Sequence, residues 1–479
     1  MLRKTKIVAT LGPATADPDV LYRVIQAGVD VVRLNFSHGK PEEHIERAER
    51  VRAIARSRAR AVGVLVDLQG PKIRIGKFEN GKIHLDKNAK FILDANCALG
   101  SQERVGLDYK NLPNDVSRGS TLLLDDGRIV MWVEKVKDAE IICKVIQGGT
   151  LSNNKGINRQ GGGLSADALT AKDKEDIKTA AALQADYIAV SFPRSGADME
   201  LARRLVQEAG CKAQLIAKIE RAEAVAALSE ILDASDGIMV ARGDLGVEVG
   251  DAAVPGLQKR MIREARCKNK LTITATQMME SMILSPIPTR AEVSDVANAV
   301  IDGTDAVMLS AETAAGSYPI ETVEAMHRVC VEAEKQCETA FSEMRMRGEF
   351  TRIDESIAMA TMLTAAHLKV KAIAALTQSG STALWLSRLG ADVPIYALTP
   401  ETETRRKVTL FRGVYPINFK STTLSGQKTL SEAVDELRRR GAVRDDDLIV
   451  VTIGEPIGQS GGTNAMKIVH VGTHGFQEI

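Results

Sequence analysis

The chain has little aromatic surface: Phe, Trp and Tyr make up 4% of its 479 residues. That is too few for the stacking platform that single-stranded nucleic acid needs. It carries almost no net charge, with Lys+Arg 63 against Asp+Glu 62. No overall attraction to nucleic acid or to an anionic membrane follows from that balance. No apolar run is long enough to span a bilayer. The opening Met-Leu-Arg-Lys-Thr-Lys-Ile-Val passes straight into a strand pattern, and we read no targeting segment there. Cysteine is sparse and scattered, at Cys97, Cys143, Cys211, Cys267, Cys330 and Cys337. With no CxxC pair and no histidines at zinc spacing, free thiols in a reducing cytoplasm are expected. Neither a Walker A motif nor a Gly-rich kinase loop occurs, which removes the two commonest nucleotide-binding solutions.

What is there is an ordinary globular composition, 44% hydrophobic and 26% charged, in a chain long enough for roughly two to four domains. Its first seventy residues alternate strand patterns (6–11, 30–37, 62–68) with helical ones (17–28, 41–60). From 70 to about 163 the helical signals vanish. Short alternating stretches divided by Asn80-Gly81, Asp126-Gly127 and Gly148-Gly149 read as an inserted β domain, followed by a flexible return over 153–163. After Thr170 the β/α rhythm resumes, with strands at 187–192, 214–220, 237–244, 271–278 and 306–310. Three strands before the insertion and five after it predict a (β/α)₈ barrel. The expected division is 1–69 with 170–345 for the barrel, 70–169 for a β-barrel lid, and 346–479 for an open C-terminal α/β domain.

The stretch Leu-Ile-Ala-Lys-Ile-Glu at 215–220 is apolar apart from Lys218 and Glu220, which a strand period of two puts on one face. A charge pair inside such a strand is costly unless matched by a partner, a metal or a substrate. Taken alone it reads equally as a structural pair or a site. In a barrel, active groups gather at the C-terminal strand ends. The second strand ends with Arg33, Asn35, Ser37 and His38, and the third at Asp67. The sixth ends Arg242-Gly243-Asp244, the seventh Thr274-Ala-Thr276-Gln277, and the eighth Ser310-Ala-Glu312-Thr313. Six such strand ends are hard to explain as packing. Glu220 and Asp244 are hard oxygen ligands suited to Mg²⁺ or Mn²⁺, and with no histidine near them nothing suggests zinc. A divalent ion ringed by Arg33, Arg74 and Lys218 suits phosphoryl transfer.

Five motifs then carry a resemblance. Arg-Leu-Asn-Phe-Ser-His-Gly (33–39), Asp-Leu-Gln-Gly-Pro-Lys-Ile-Arg (67–74), the 215–220 stretch, Ala-Arg-Gly-Asp-Leu-Gly (241–246) and Ala-Thr-Gln-Met-Met-Glu-Ser-Met (275–282) are similar to the pyruvate kinase family, in order and over essentially the whole chain. The resemblance implies transfer of the phosphoryl group of phosphoenolpyruvate to ADP. It makes Glu220 and Asp244 the Mg²⁺ ligands, has Lys218 neutralise the phosphoryl group in flight, and has Arg33 bind the phosphate. Gly243, Asp244 and Thr276 would line the enolpyruvate pocket, with Thr276 near the protonation route. Asn35, His38, Arg74 and Lys155 would meet the nucleotide phosphates, Lys155 arriving by lid closure around glycine hinges at 148–149 and 161–163. The family also implies a homotetramer.

One departure matters. Many family members have Glu where this chain has Lys72 and Thr where it has Leu68, and bind K⁺ with groups matching Asn35, Ser37, Asp67 and the Thr. Lys72 is expected to place an ammonium near that position and replace the cation. In the C-terminal part, Thr377-Gln-Ser379-Gly380-Ser381-Thr382 reads as a phosphate nest at a helix start, and Gln459 to Asn464 as a second Gly/Ser-rich loop. The family places a phosphorylated activator there; the absence of strong basicity in the second loop points away from a bisphosphate. The competing readings are a Mg²⁺-dependent barrel lyase without a nucleotide, and a non-catalytic sensor that kept the fold.

Overall fold

Strands with no polar face need cover on both sides, and a ring of helices around a closed sheet provides it. In the first strand, Lys6–Thr10, and the third, Gly63–Asp67, every residue is buried. The computed structural model describes residues 2–336, 350–390, 392–422, 426–456 and 461–472. The barrel strands are Lys6–Thr10, Val31–Asn35, Gly63–Asp67, Tyr187–Val190, Gln214–Ile219, Gly237–Ala241, Leu271–Ala275 and Ala306–Leu309. They pair in parallel in chain order, and the eighth closes on the first.

Several strands end earlier than the sequence pattern suggests. The sixth stops at Ala241, so Arg242, Gly243 and Asp244 open the helix Arg242–Val249 instead of extending the strand. The seventh stops at Ala275 because Thr276 and Gln277 turn to φ 68° and 55°, where no strand can continue. The segment after the fifth strand folds as two helices, Ala222–Ala226 and Leu228–Ala234.

The base of the barrel repeats one device four times. Asp30, Asp186, Asp236 and Asp305 each stand one residue before an even-numbered strand. Each accepts the amide of the second residue of an odd-numbered strand: Ile7 N at 2.9 Å, Val64 N at 2.9 Å, Leu215 N at 2.7 Å and Thr272 N at 2.8 Å. Each also meets an arginine: Arg3, Arg406, Arg203 and Arg388. Arg388 and Arg406 come from C-terminal helices, Ser381–Leu389 and Thr402–Lys407, so two of the four clasps fasten the C-terminal sheet to the barrel. The Tyr187 hydroxyl adds a bond to the Lys407 carbonyl, and Lys6 Nζ donates to Val414 O at 2.6 Å.

Between the third and fourth barrel strands lies the β lid. A six-stranded sheet and the pair Lys82–Leu85 with Gly149–Ser152 curl around their own apolar core, including Phe91, Leu124 and Met131. The return at 153–163 is not simply flexible: Ile157–Arg159 pairs antiparallel with Thr121–Leu124, because an edge strand left there offers unpaired backbone groups and Ile157 is buried by joining it. The C-terminal sheet has the order Val414–Asn418, Ile395–Thr399, Ala372–Leu376, Leu448–Gly454, Thr463–His470, with only the last strand antiparallel. The expected junction at 345/346, Cys337 and the start of the second Gly/Ser-rich loop, Gln459 and Ser460, lie outside the described residues. The other five cysteines are free thiols. Among the described residues no helix is long and apolar enough to cross a membrane.

Candidate active site

Lys218 occupies the mouth of the barrel with its side chain 12% exposed. Its ammonium has three protons and three acceptors: Ser191 Oγ at 2.7 Å, Glu220 Oε1 at 2.9 Å and Asp67 Oδ1 at 3.3 Å. Burial pulls the lysine pKa down, but Asp67 and Glu220 outweigh it, and the group stays an ammonium. Asp67 is buried and doubly engaged, since its other oxygen takes Arg33 Nε at 2.7 Å. Burial raises its carboxyl; Lys218 and Arg33 reverse that and hold it below the usual range. Arg33 also donates to Thr10 Oγ1 at 3.0 Å. One cation from the second strand, one from the fifth and one carboxylate from the third thus form a continuous network.

Across the mouth, Gly243 N donates to Thr276 Oγ1 at 2.9 Å, and that hydroxyl donates to Ala275 O at 2.6 Å. Arg242 braces this turn through Thr276 O at 2.7 Å and Asp295 at 2.7 Å. A Cβ on Gly243 would sit 3.7 Å from Thr276 Oγ1, an ordinary contact, so the fold alone does not demand glycine; its bare backbone leaves the space before Thr276 open. Thr276, a β-branched residue at positive φ, stores backbone strain there.

The carboxylates fit a hard divalent cation. Glu220 Oε2 accepts Phe192 N at 2.8 Å and its Oε1 meets Lys218. Burial raises its carboxyl pKa, Lys218 opposes that, and the neighbouring Asp244 charge adds to the rise, so the direction is upward. A cation shared with Asp244 would relieve that repulsion. Among the described residues no three His, Cys, Asp or Glu side chains converge on one point. Mg²⁺ is commonly held by one or two carboxylates and completes its shell with water and substrate oxygens.

Asn35 Oδ1 accepts Ser37 N at 3.1 Å, and the exposed His38 follows on the same turn. His44 holds that turn through Nε2 to His38 O at 2.8 Å, with its ring stacked on Phe36. Burial keeps His44 below the ordinary histidine range and therefore neutral. Lys155 and Arg74 stay with the lid: Lys155 Nζ lies 2.8 Å from Asp125, and Arg74 donates to Asn154 O at 3.0 Å. Lys72 Nζ lies 3.5 Å from Asp244 Oδ1 and makes no ion pair with Asp67, whose partners are Arg33 and Lys218. The lid's return docks on the barrel through Gly161 N to Glu248 O at 3.0 Å and Gly163 N to Glu223.

Residues 2–323 match the family described as "Pyruvate kinase, barrel domain", and residues 355–469 match "Pyruvate kinase, alpha/beta domain". The chain belongs to the pyruvate kinase family. It is 54% identical over 476 residues to pyruvate kinase II of Salmonella typhimurium, covering 98% of this chain and 99% of that protein. It is 55% identical over 461 residues to the pyruvate kinase of Haemophilus influenzae, covering 95% and 96%. A crystal structure of a pyruvate kinase from Cryptosporidium parvum superposes with a TM-score of 0.93 at 35% identity, covering 98% of this chain and 96% of that one.

Polar residues in the sequence draw attention to six strand ends, and the structure adds the remaining two. Thr10 at the end of the first strand holds Arg33, and Ser191 just past the fourth holds Lys218. Both fall inside the expected strands 6–11 and 187–192, but a lone hydroxyl without a neighbouring charge does not mark either strand end. In the C-terminal domain, Gly380 N donates to Thr377 Oγ1 at 2.9 Å, and Ser381 N to Ser379 Oγ at 3.4 Å, at the start of the helix Ser381–Leu389. Thr382 Oγ1 meets Thr463 Oγ1 at 2.6 Å, which ties the first Gly/Ser-rich loop to the described end of the second.

Proposed function

We infer that this chain transfers the phosphoryl group of phosphoenolpyruvate to ADP, releasing pyruvate and ATP in a Mg²⁺-dependent reaction at the barrel mouth. Family membership supports the reaction. The observation that carries the assignment to residues is the nearly buried Lys218 ammonium shared among Asp67, Glu220 and Ser191. Mg²⁺, or Mn²⁺, held by Glu220 and Asp244 would supply charge neutralisation at the phosphate and carboxylate oxygens. Arg33, steadied by Asp67 and Thr10, binds the phosphate. Lys218 presents its charge where negative charge spreads over the transferring group, so its effect falls on the transition state. Gly243, Asp244 and Thr276 line the enolpyruvate pocket, and Thr276 stands near the route of the proton. Asn35, His38, Arg74 and Lys155 meet the nucleotide phosphates; Lys155 exchanges Asp125 for a phosphate oxygen as the lid closes and excludes water. Incubating the protein with Mg²⁺, ADP and phosphoenolpyruvate and measuring pyruvate tests the reading; ADP-independent release would identify a lyase instead.

Asn35, Ser37 and Asp67 match the family's monovalent-cation groups. Here both Asp67 oxygens already face cations of the chain, and Lys72 adds charge beside Asp244. We therefore expect activity without K⁺, and K⁺ dependence on Lys72→Glu; a wild type inactive without K⁺ would refute this. The functional division is 1–69 with 170–345 for catalysis, 70–169 for the lid and 346–479 for regulation. The nest Thr377, Ser379, Gly380, Ser381 and Thr382 takes the phosphate of an activating metabolite, tested by titrating sugar phosphates and AMP at subsaturating phosphoenolpyruvate. A cytoplasmic homotetramer completes the proposal, checked by sedimentation.

A further inference from the structure

We propose that Ser191 is the positioning residue of Lys218: a neutral hydroxyl that fixes the ammonium at the barrel mouth without cancelling its charge. The inference rests on the role given to Lys218 above. Of the three acceptors around Nζ, the nearest is the only uncharged one, Ser191 Oγ at 2.7 Å. The hydroxyl's own proton goes to Leu68 O at 2.7 Å rather than to the longer contact with Asp67 Oδ1 at 3.4 Å, which leaves its lone pairs for the lysine. Ser191 is therefore committed as an acceptor. The two carboxylates are not committed in that way: Asp67 is shared with Arg33, and Glu220 with the Phe192 amide. An incoming phosphoryl oxygen must replace one of the three acceptors. If Glu220 turns toward a divalent cation, Ser191 and Asp67 keep the ammonium in place. A third carboxylate at 191 would neutralise the charge that has to act on the phosphoryl group, and an apolar residue would let the ammonium slide onto Asp67 and Glu220.

The fold holds Ser191 in place from both sides. Phe192, next in the chain, is at φ 56°, an unfavourable region for a bulky residue. That turn aims its amide at Glu220 Oε2, so one strained step of backbone serves both members of the Lys218–Glu220 pair. Opposite, Gly70 has φ 65°, and a Cβ there would lie 2.7 Å from Ser191 Cβ and 3.1 Å from Ser191 O. Only a bare backbone lets the loop after Leu68 approach closely enough for its carbonyl to take the hydroxyl proton.

The test is Ser191→Ala, with Ser191→Cys as a milder second variant, each made in the wild type and in Lys218→Met. We expect Ser191→Ala to lower kcat by about 10- to 100-fold with KM for phosphoenolpyruvate within about 3-fold, the scale of a misplaced catalytic group. In the Lys218→Met background the same change should cost nothing further, because the residue it positions is gone. A crystal structure of Ser191→Ala should show Nζ displaced toward Asp67 or Glu220. An unchanged kcat, or an equal loss in both backgrounds, would overturn the proposal in favour of a structural serine. Should Ser191→Ala not fold, as judged by its thermal melt, Ser191→Cys is held to the same criteria. If Lys218→Met alone keeps wild-type activity, the reading of Lys218 fails, and that outcome is separate from any result on Ser191.

Discussion

Two lysines lie inside the barrel, one at each end, and their surroundings treat them in opposite ways. At the base, Lys6 donates to the Val414 carbonyl and lies over the Tyr415 ring at 4.5 Å. Burial lowers its pKa to about 8, and the more distant Asp30 does not make up the difference. At the mouth, Lys218 touches two carboxylates and its pKa is raised despite burial. The aspartates show the same contrast. Those at the base are saturated, each by a strand amide and an arginine, and leave nothing for a ligand to replace. Asp67 and Glu220 at the mouth share the Lys218 ammonium between them, and the proposed reaction has a phosphate and a metal compete for these partners. A buried ion pair is thus not a mark of catalysis by itself; what marks the site is a set of partners that can be exchanged.

The largest effect is expected at Lys218. Lys218→Met should lower kcat by about 10²–10³-fold while changing KM far less, since its charge acts in the transition state; steady-state kinetics decides, and equal changes would make it a binding group only. Next comes the base. Arg388→Met leaves the buried Asp305 without its main cation and should destabilise by about 3–5 kcal/mol in urea unfolding, with kcat at saturating substrate nearly unchanged. Lys6→Met sharpens the contrast through pH. Below pH 8 the lysine is protonated folded and unfolded, and the burial penalty is fully present. Between about 8 and the ordinary value of 10.5 the unfolded chain binds the extra proton, so wild-type stability rises with pH. The wild type should therefore gain on Lys6→Met by up to about 3 kcal/mol across that window, read from unfolding midpoints at each pH. The smallest effect is expected at Arg203→Ala. Its pair with Asp236 is about one-third exposed on both sides, at 36% and 28%, and surface pairs of that kind contribute under about 1 kcal/mol.

Most of the mouth was legible in the sequence because barrel chemistry gathers at strand ends, and strand ends can be counted from apolar runs. Lys218 and Glu220 share a face for the reason their spacing suggests. Asp244 was expected at a strand end and instead opens a helix, since a helix start and a strand end look alike over three residues. Ser191 is a single serine after an apolar run, and its meaning comes from Lys218, twenty-seven positions later, and from Leu68, far earlier. The base clasps were illegible for the same reason: Asp186 with Arg406 and Asp305 with Arg388 join positions more than eighty residues apart.

By itself the sequence determined the eight-fold alternation, the inserted lid, the separate C-terminal sheet and the identity of the charged groups at the mouth. Those features follow from local periodicity and from residue type. Only the tertiary structure decided how those charges are shared: that Asp67 bridges Arg33 and Lys218, that Lys72 turns to Asp244, that Lys155 rests on Asp125, and that a neutral serine stands closest to the Lys218 ammonium. Electrostatic partners are set by distances of a few ångströms between segments remote in the chain. No local pattern carries that information until the barrel has closed.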